Sequence, residues 1–252
     1  MNKPIEMPEG GYAFAPGVFQ YSAGVGALPN FEIRRVRFSR VVPMQEGFDR
    51  IAEYLGGLGR PLTAFCACEM RSPAPFDEAG FEAFNRVYAG TLEEWGIMKG
   101  ETNPVARANV CPEIDPPQEP GFHAFSYTIP RENAAPTFVI AGSGEAPEGK
   151  GNYREHTIRL GETGADALEE KAEWVLGEME RRMAYFSAGW RDTTAAQLYT
   201  VYDIHPFISN LVKRGALRHG LTWHFNRPPV VGLDYEMDCR RVRNERVIDL
   251  PD

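Results

Sequence analysis

Two side chains stand out for the chemistry they could do together. Arg107 lies near the start of the apolar run 105–111, and Glu236 lies within Leu233-Asp-Tyr-Glu-Met-Asp-Cys239. A guanidinium holds a carboxylate through two parallel, charge-assisted hydrogen bonds, a geometry an ammonium does not reproduce. A carboxylic acid in a partly apolar pocket is pushed toward neutral pKa, where it can give or take a proton at a reacting centre. Each residue also has a plainer reading. Arg107 could pair with a surface acid. Glu236 is flanked at strand period by Asp234 and Asp238, the pattern of a solvated face that would pair with Arg240, Arg241 and Arg243.

The remaining reactive side chains are less well set. Cys66 and Cys68 sit two apart, which puts them on one strand face and prevents a disulfide between them. No CxxC or HxxxH pair offers a zinc site, so all four cysteines (with Cys111 and Cys239) are expected as reduced, apolar-packed thiols, and no metal is expected. His123 and His224 fall on expected strands as satisfied polar groups. Ser143, between Gly142 and Gly144, lacks the spacing of a nucleophile turn, and Asp192 reads as a turn or cap residue.

The elements that must position these residues recur in order. Residues 17–25 read as an apolar strand and 31–38 as an alternating one. Residues 45–58 form an amphipathic helix with Phe48, Ile51, Leu55 and Leu58 on one face. A buried strand at 62–68, a helix at 76–95 and strands at 105–111 and 123–129 complete the half. After the polar joint Arg131-Glu-Asn-Ala-Ala-Pro136 come strands at 137–144 and 153–160, a helix at 166–185, a strand at 196–202, a helix at 206–215, and strands at 220–225 and 231–240. The order predicts an α+β fold with domains 1–130 and 131–252, each a mixed sheet with two helices on one face.

Composition narrows the function. The chain has 252 residues and a formal net charge of −8, with 27 Lys and Arg against 35 Asp and Glu. That balance excludes a nucleic-acid surface, which needs clustered cations. No apolar run approaches a membrane span, and the polar, proline-rich start does not read as a signal peptide, so a cytoplasmic location is expected.

Several of these strings resemble the Rid (YjgF-like) family of enamine/imine deaminases, over residues 12–246, as a tandem duplication of a domain usually found singly. Phe84-Asn-Arg-Val-Tyr88 looks like the family's helix element, with its pocket asparagine on Asn85. Pro104-Val-Ala-Arg107 looks like the element whose arginine grips the substrate carboxylate. The strand around Glu236 is similar to the family's final strand, with Glu236 on the acid that activates water, and Tyr12 falls on an aromatic near the N-terminus. The halves depart from the pattern in complementary ways. Phe125 stands where the first half's acid should be, and Arg218-His-Gly-Leu-Thr-Trp-His224 lacks the arginine element. The resemblance implies two chorismate-mutase-like repeats, no cofactor, a homotrimer covering exposed sheet faces, and pockets at the seams between domains.

It also implies a hydrolase of a small enamine or imine carboxylic acid. Aromatic residues on central strands, Phe125 and Trp223 among them, would line a pocket for a conjugated, aminomuconate-type acid. Two alternatives stay open: a chorismatase-like hydrolase of a cyclic carboxylate, and a non-catalytic module that binds small carboxylates.

Overall fold

The structure is a computed structural model and describes residues 3–150 and 152–249. Strands β1 (Ile5–Met7), β2 (Tyr12–Ala15), β3 (Gly24–Ala27) and β4 (Phe31–Pro43) lead into α1 (Met44–Gly57). Then come β5 (Phe65–Arg71), α2 (Glu78–Glu94), β6 (Ala106–Pro112), β7 (Gly121–Pro130) and β8 (Phe138–Gly144). The second half holds α3 (Tyr153–His156), α4 (Ala165–Met183), β9 (Ala195–Tyr199) and α5 (Ile208–Arg214). It ends with β10 (Thr222–His224), β11 (Asn226–Arg227), β12 (Glu236–Arg241) and β13 (Glu245–Ile248).

Helix α1 buries Phe48, Ile51 and Leu55 at helical spacing. Helix α2 starts on Asp77, whose carboxylate accepts the Gly80 N–H at 2.7 Å. Its buried stripe of Phe81, Phe84, Asn85, Tyr88, Ala89 and Leu92 contains one amide. Helix α4 likewise carries Lys171 and Arg182 on its core-facing stripe. Buried polar groups on such stripes need partners, and all three residues hydrogen-bond near the site described below.

Among the described residues, thirteen strands form two mixed sheets, in the orders β1-β2-β3-β8-β12-β9-β10 and β11-β6-β5-β7-β4-β13. Helices α1 and α2 cover the six-stranded sheet, packing Phe48, Ile51, Tyr88 and Leu92 on Phe65, Phe122 and Phe125. Helices α4 and α5 cover the seven-stranded sheet through Val175, Leu176, Met179 and Leu211. A third cluster, including Tyr12, Phe14, Val25, Ile33, Cys66, Ala106 and Ala141, packs where the two sheets meet. The result is helix, sheet, sheet, helix.

This corrects the expected fold class. Two tandem chorismate-mutase-like repeats, each with its own mixed sheet and two helices on one face, are not what the chain builds. Strands β1–β3 from the first half extend the seven-stranded sheet by pairing β3 with β8. Strands β11 and β13 from the second half pair with β6 and β4. Residues 153–160, expected as a strand, form the short α3 and turns. Neither alternating face of Tyr153-Arg-Glu-His-Thr-Ile-Arg-Leu160 is continuously apolar, and the Thr157 hydroxyl closes a turn on the Tyr153 carbonyl at 2.7 Å. The two adjacent cysteines also part company. The pairing of β5 with β7 shifts register between Phe65 and Ala67, so Cys66 joins the cluster between the sheets while Cys68 faces Tyr88 of α2 at 3.4 Å. All four cysteines are free and buried.

Candidate active site

Strand β6 runs parallel to β5, with Arg107 opposite Cys68. Its side chain reaches α2, where Nη2 donates to Asn85 Oδ1 at 2.5 Å. Asn85 is itself held one turn back, donating from Nδ2 to the Phe81 carbonyl at 2.6 Å. The rings of Tyr21, Phe81, Phe84 and Tyr88 surround the guanidinium, with centroids 4.8–5.9 Å from Cζ. Arg107 is only 2% exposed, yet among the described residues no carboxylate forms an ion pair with it, and its Nε and Nη1 find no acceptor. Aromatic faces offset about 2 kcal/mol or more of a desolvated cation's cost, while burying an isolated charge costs several kcal/mol. The arrangement calls for an anion. Two residues along the strand, Asn109 accepts from Ser72 Oγ at 3.0 Å and leaves Nδ2 without a partner.

Glu236 opens β12 and lies between β8 and β9, opposite Gly144 and Tyr199. It is 4% exposed. The carboxyl rests over Gly142, where an added Cβ would collide with it and also crowd Ala108. No described side chain or backbone group donates a hydrogen bond to it. Burial pushes its pKa well above the usual carboxylate range, and the charges of Asp238 and Glu145 push the same way; Arg182 and Arg71 oppose them. The acidic ladder is therefore an interior feature. Asp238 is buried beside Glu236, and Asp234 pairs with the buried Lys171.

Arg107 and Glu236 line one small cavity of about 30 Å³, together with Tyr21, Asn109, Gly142, Ser143, Glu148 and Tyr153. The first half supplies the cation and the second half the acid. Arg182 of α4 fixes the wall between them: Nη1 donates to the carbonyls of Ala141 and Gly142, and Nη2 to Ser143 Oγ and Glu148. Burial holds the Tyr153 phenol up at about 12, so it stays a neutral donor.

Of the six residues singled out from the sequence, the structure joins three: Arg107 and Glu236 line the cavity, and Asn85 anchors Arg107. The other three lie elsewhere. Tyr12 is fully buried in the cluster where the sheets meet. Phe125 packs on Phe38 and Tyr54 in the α1 core, with centroids at 5.5 and 5.4 Å. Trp223 is 37% exposed on the edge strand β10, its indole N–H on the Thr200 carbonyl. His123 and His224 are held neutral by burial, at about 3 and about 4. Asn109 and Gly142 went unread. Strand alternation from Arg107 marks the first, but only the packing of two sheets reveals the second.

No helix among the described residues is long and apolar enough to cross a membrane, and no group of three or more His, Cys, Asp or Glu among them could hold a metal ion. Residues 4–246 match the family described as 2-aminomuconate deaminase CnbZ. A 2-amino-5-chloromuconate deaminase from Comamonas testosteroni is 48% identical over 251 residues, covering 98% of this chain and 100% of the relative. Among solved structures, a chorismatase matches with a TM-score of 0.52 at 11% identity, over 95% of this chain and 80% of its own, a likeness of fold alone.

Proposed function

The chain belongs to the 2-aminomuconate deaminase CnbZ family, and on that premise we propose that it hydrolyses the C–N bond of a 2-aminomuconate-type enamine acid in the cavity shared by Arg107 and Glu236. The observation that carries this reading is a buried guanidinium with two unused donor nitrogens facing the same space as a carboxyl without a donor. Arg107 takes the carboxylate next to the amino-bearing carbon. The aromatic cage strengthens that grip by excluding water from a charge-assisted pair. Glu236, protonated at rest, gives its proton to the enamine carbon and leaves an iminium at the amino-bearing carbon. The resulting carboxylate then takes a proton from the water that adds there. Return of that proton to nitrogen makes ammonia the leaving group, and the hydroxyl gives its own proton back to the Glu236 carboxylate as the carbon–oxygen double bond forms and ammonia departs. The net change is enamine plus water to 2-oxo acid plus ammonia.

Ammonia release from 2-aminomuconate or its 5-chloro derivative tests the proposal. Glu236→Gln keeps volume and hydrogen-bonding capacity but cannot transfer a proton. It is expected to lower the rate by roughly 10²–10⁴-fold while small carboxylates still bind. Wild-type protein that releases no ammonia above background, or Glu236→Gln protein at wild-type rate, would overturn it.

A further inference from the structure

Strand β12 carries a second buried carboxylate, two residues beyond Glu236 and on the same strand face, and its surroundings are the opposite of its neighbour's. Asp238 is clamped: Tyr199 donates its hydroxyl to Oδ2 at 2.7 Å, and Gln197 Nε2 donates to Oδ1 at 2.9 Å. Gln197 is itself oriented by His224, whose ring nitrogen meets Oε1 at 3.2 Å and whose ring stacks on Tyr199. Donors aimed at both oxygens favour the anion, whereas a buried carboxyl without donors favours the acid. The two residues make an unequal pair, the pattern by which neighbouring carboxyls divide their roles.

We propose that Asp238 is a positioning residue that, as a hydrogen-bonded anion beside the cavity, keeps Glu236 in the protonated form its proton-donating step requires. This rests on the deaminase reading of Glu236, although the charge relation between the two residues stands without it. The other charged groups do not reverse the relation. Glu236 meets Arg182 from α4, Arg71 from β5, Arg107 from β6, and Glu145 and Glu148 beyond β8, with the Tyr21 and Tyr153 phenols alongside. Asp238 meets Glu69 from β5 and Arg240 from its own strand. Glu69 is matched by Arg35 in a two-pronged pair at 2.6 and 2.9 Å, and Arg240 by Glu245 at 2.7 Å. Burial and the Glu69 charge raise Asp238 to about 6, held back by the Gln197 and Tyr199 hydrogen bonds and by Arg240, whereas burial and the Asp238 charge push Glu236 well above the usual carboxylate range.

The test reads protonation directly. The infrared carbonyl band of protonated carboxyls is followed against pH in wild-type protein and assigned to Glu236 by its loss in Glu236→Gln. A titration step above neutral pH is expected for Glu236, and Asp238→Asn moves it down by roughly one to two pH units, because one negative charge at strand-period distance is gone. The alkaline limb of the kcat profile for ammonia release moves down with it, and Asp238→Glu restores both. Tyr199→Phe keeps the charge but removes a donor, so it raises the lower, Asp238 step and leaves the Glu236 step in place. Because the band needs no turnover, an absent activity with these shifts intact would count against the deaminase reading alone. A Glu236 band that has already vanished at neutral pH in wild type, or one whose midpoint Asp238→Asn does not move, would overturn the proposal.

Discussion

The guanidinium of Arg107 is the most costly group in the cavity to leave alone, since it is buried, caged by rings and without an acid partner. A ligand carboxylate completes it, so small unsaturated carboxylates are expected to raise the melting temperature of the protein through mass action. Arg107→Lys keeps the charge and loses the fork, and is expected to lose most of that rise. Equal rises in both proteins, measured by differential scanning fluorimetry, would remove Arg107 from the site. The types of Arg107 and Glu236 were legible in the sequence, but their surroundings were not. Alternation puts Asp234, Glu236 and Asp238 on one strand face without saying whether water or a second sheet lies opposite, and the solvated reading followed from that gap. Asn109, by contrast, shares the strand face of Arg107 and was there to be read.

The helix and strand that carry the acid are tied together by buried charge. Lys171 of α4 is fully buried and reaches Asp234 at 2.5 Å and Glu145 at 3.3 Å. Glu145 in turn accepts the backbone N–H groups of Asp234 and Tyr235, the two residues that precede Glu236. The cluster thus sets where β12 begins. Lys171→Met leaves the buried Glu145 and the part-buried Asp234 without their cation and is expected to cost about 3–5 kcal/mol, read as a lower urea midpoint at unchanged slope. A midpoint within error of wild type would mean the cluster does not hold this end of β12. The helices were legible because their apolar periodicity is local: residues 45–58 and 166–185 were expected, and Met44–Gly57 and Ala165–Met183 form. Residues 153–160 were misread because polar residues at alternating positions fit a strand template without supplying an apolar face.

Across the whole molecule, the two halves are joined by strands that each lends to the other's sheet. Pairings such as β3 with β8 and β13 with β4 bridge more than a hundred residues and leave no periodic trace, so the repeated order of elements suggested a fold the chain does not adopt. The trimer was expected because each sheet would leave one face bare; within this chain helices cover the outer faces and the sheets meet on the inner ones, which removes that premise. A protein with net charge −8 does not draw a dianion through its overall field, so recognition falls to the cavity where the halves meet. The most direct test of that claim is a crystal structure of the protein with muconate, a stable dienedioate that has no amino group to lose. The account predicts one carboxylate within about 3 Å of Arg107 Nε or Nη1, with the adjoining carbon facing the Glu236 carboxyl over Gly142. Muconate bound with the Arg107 guanidinium still unpartnered would contradict it.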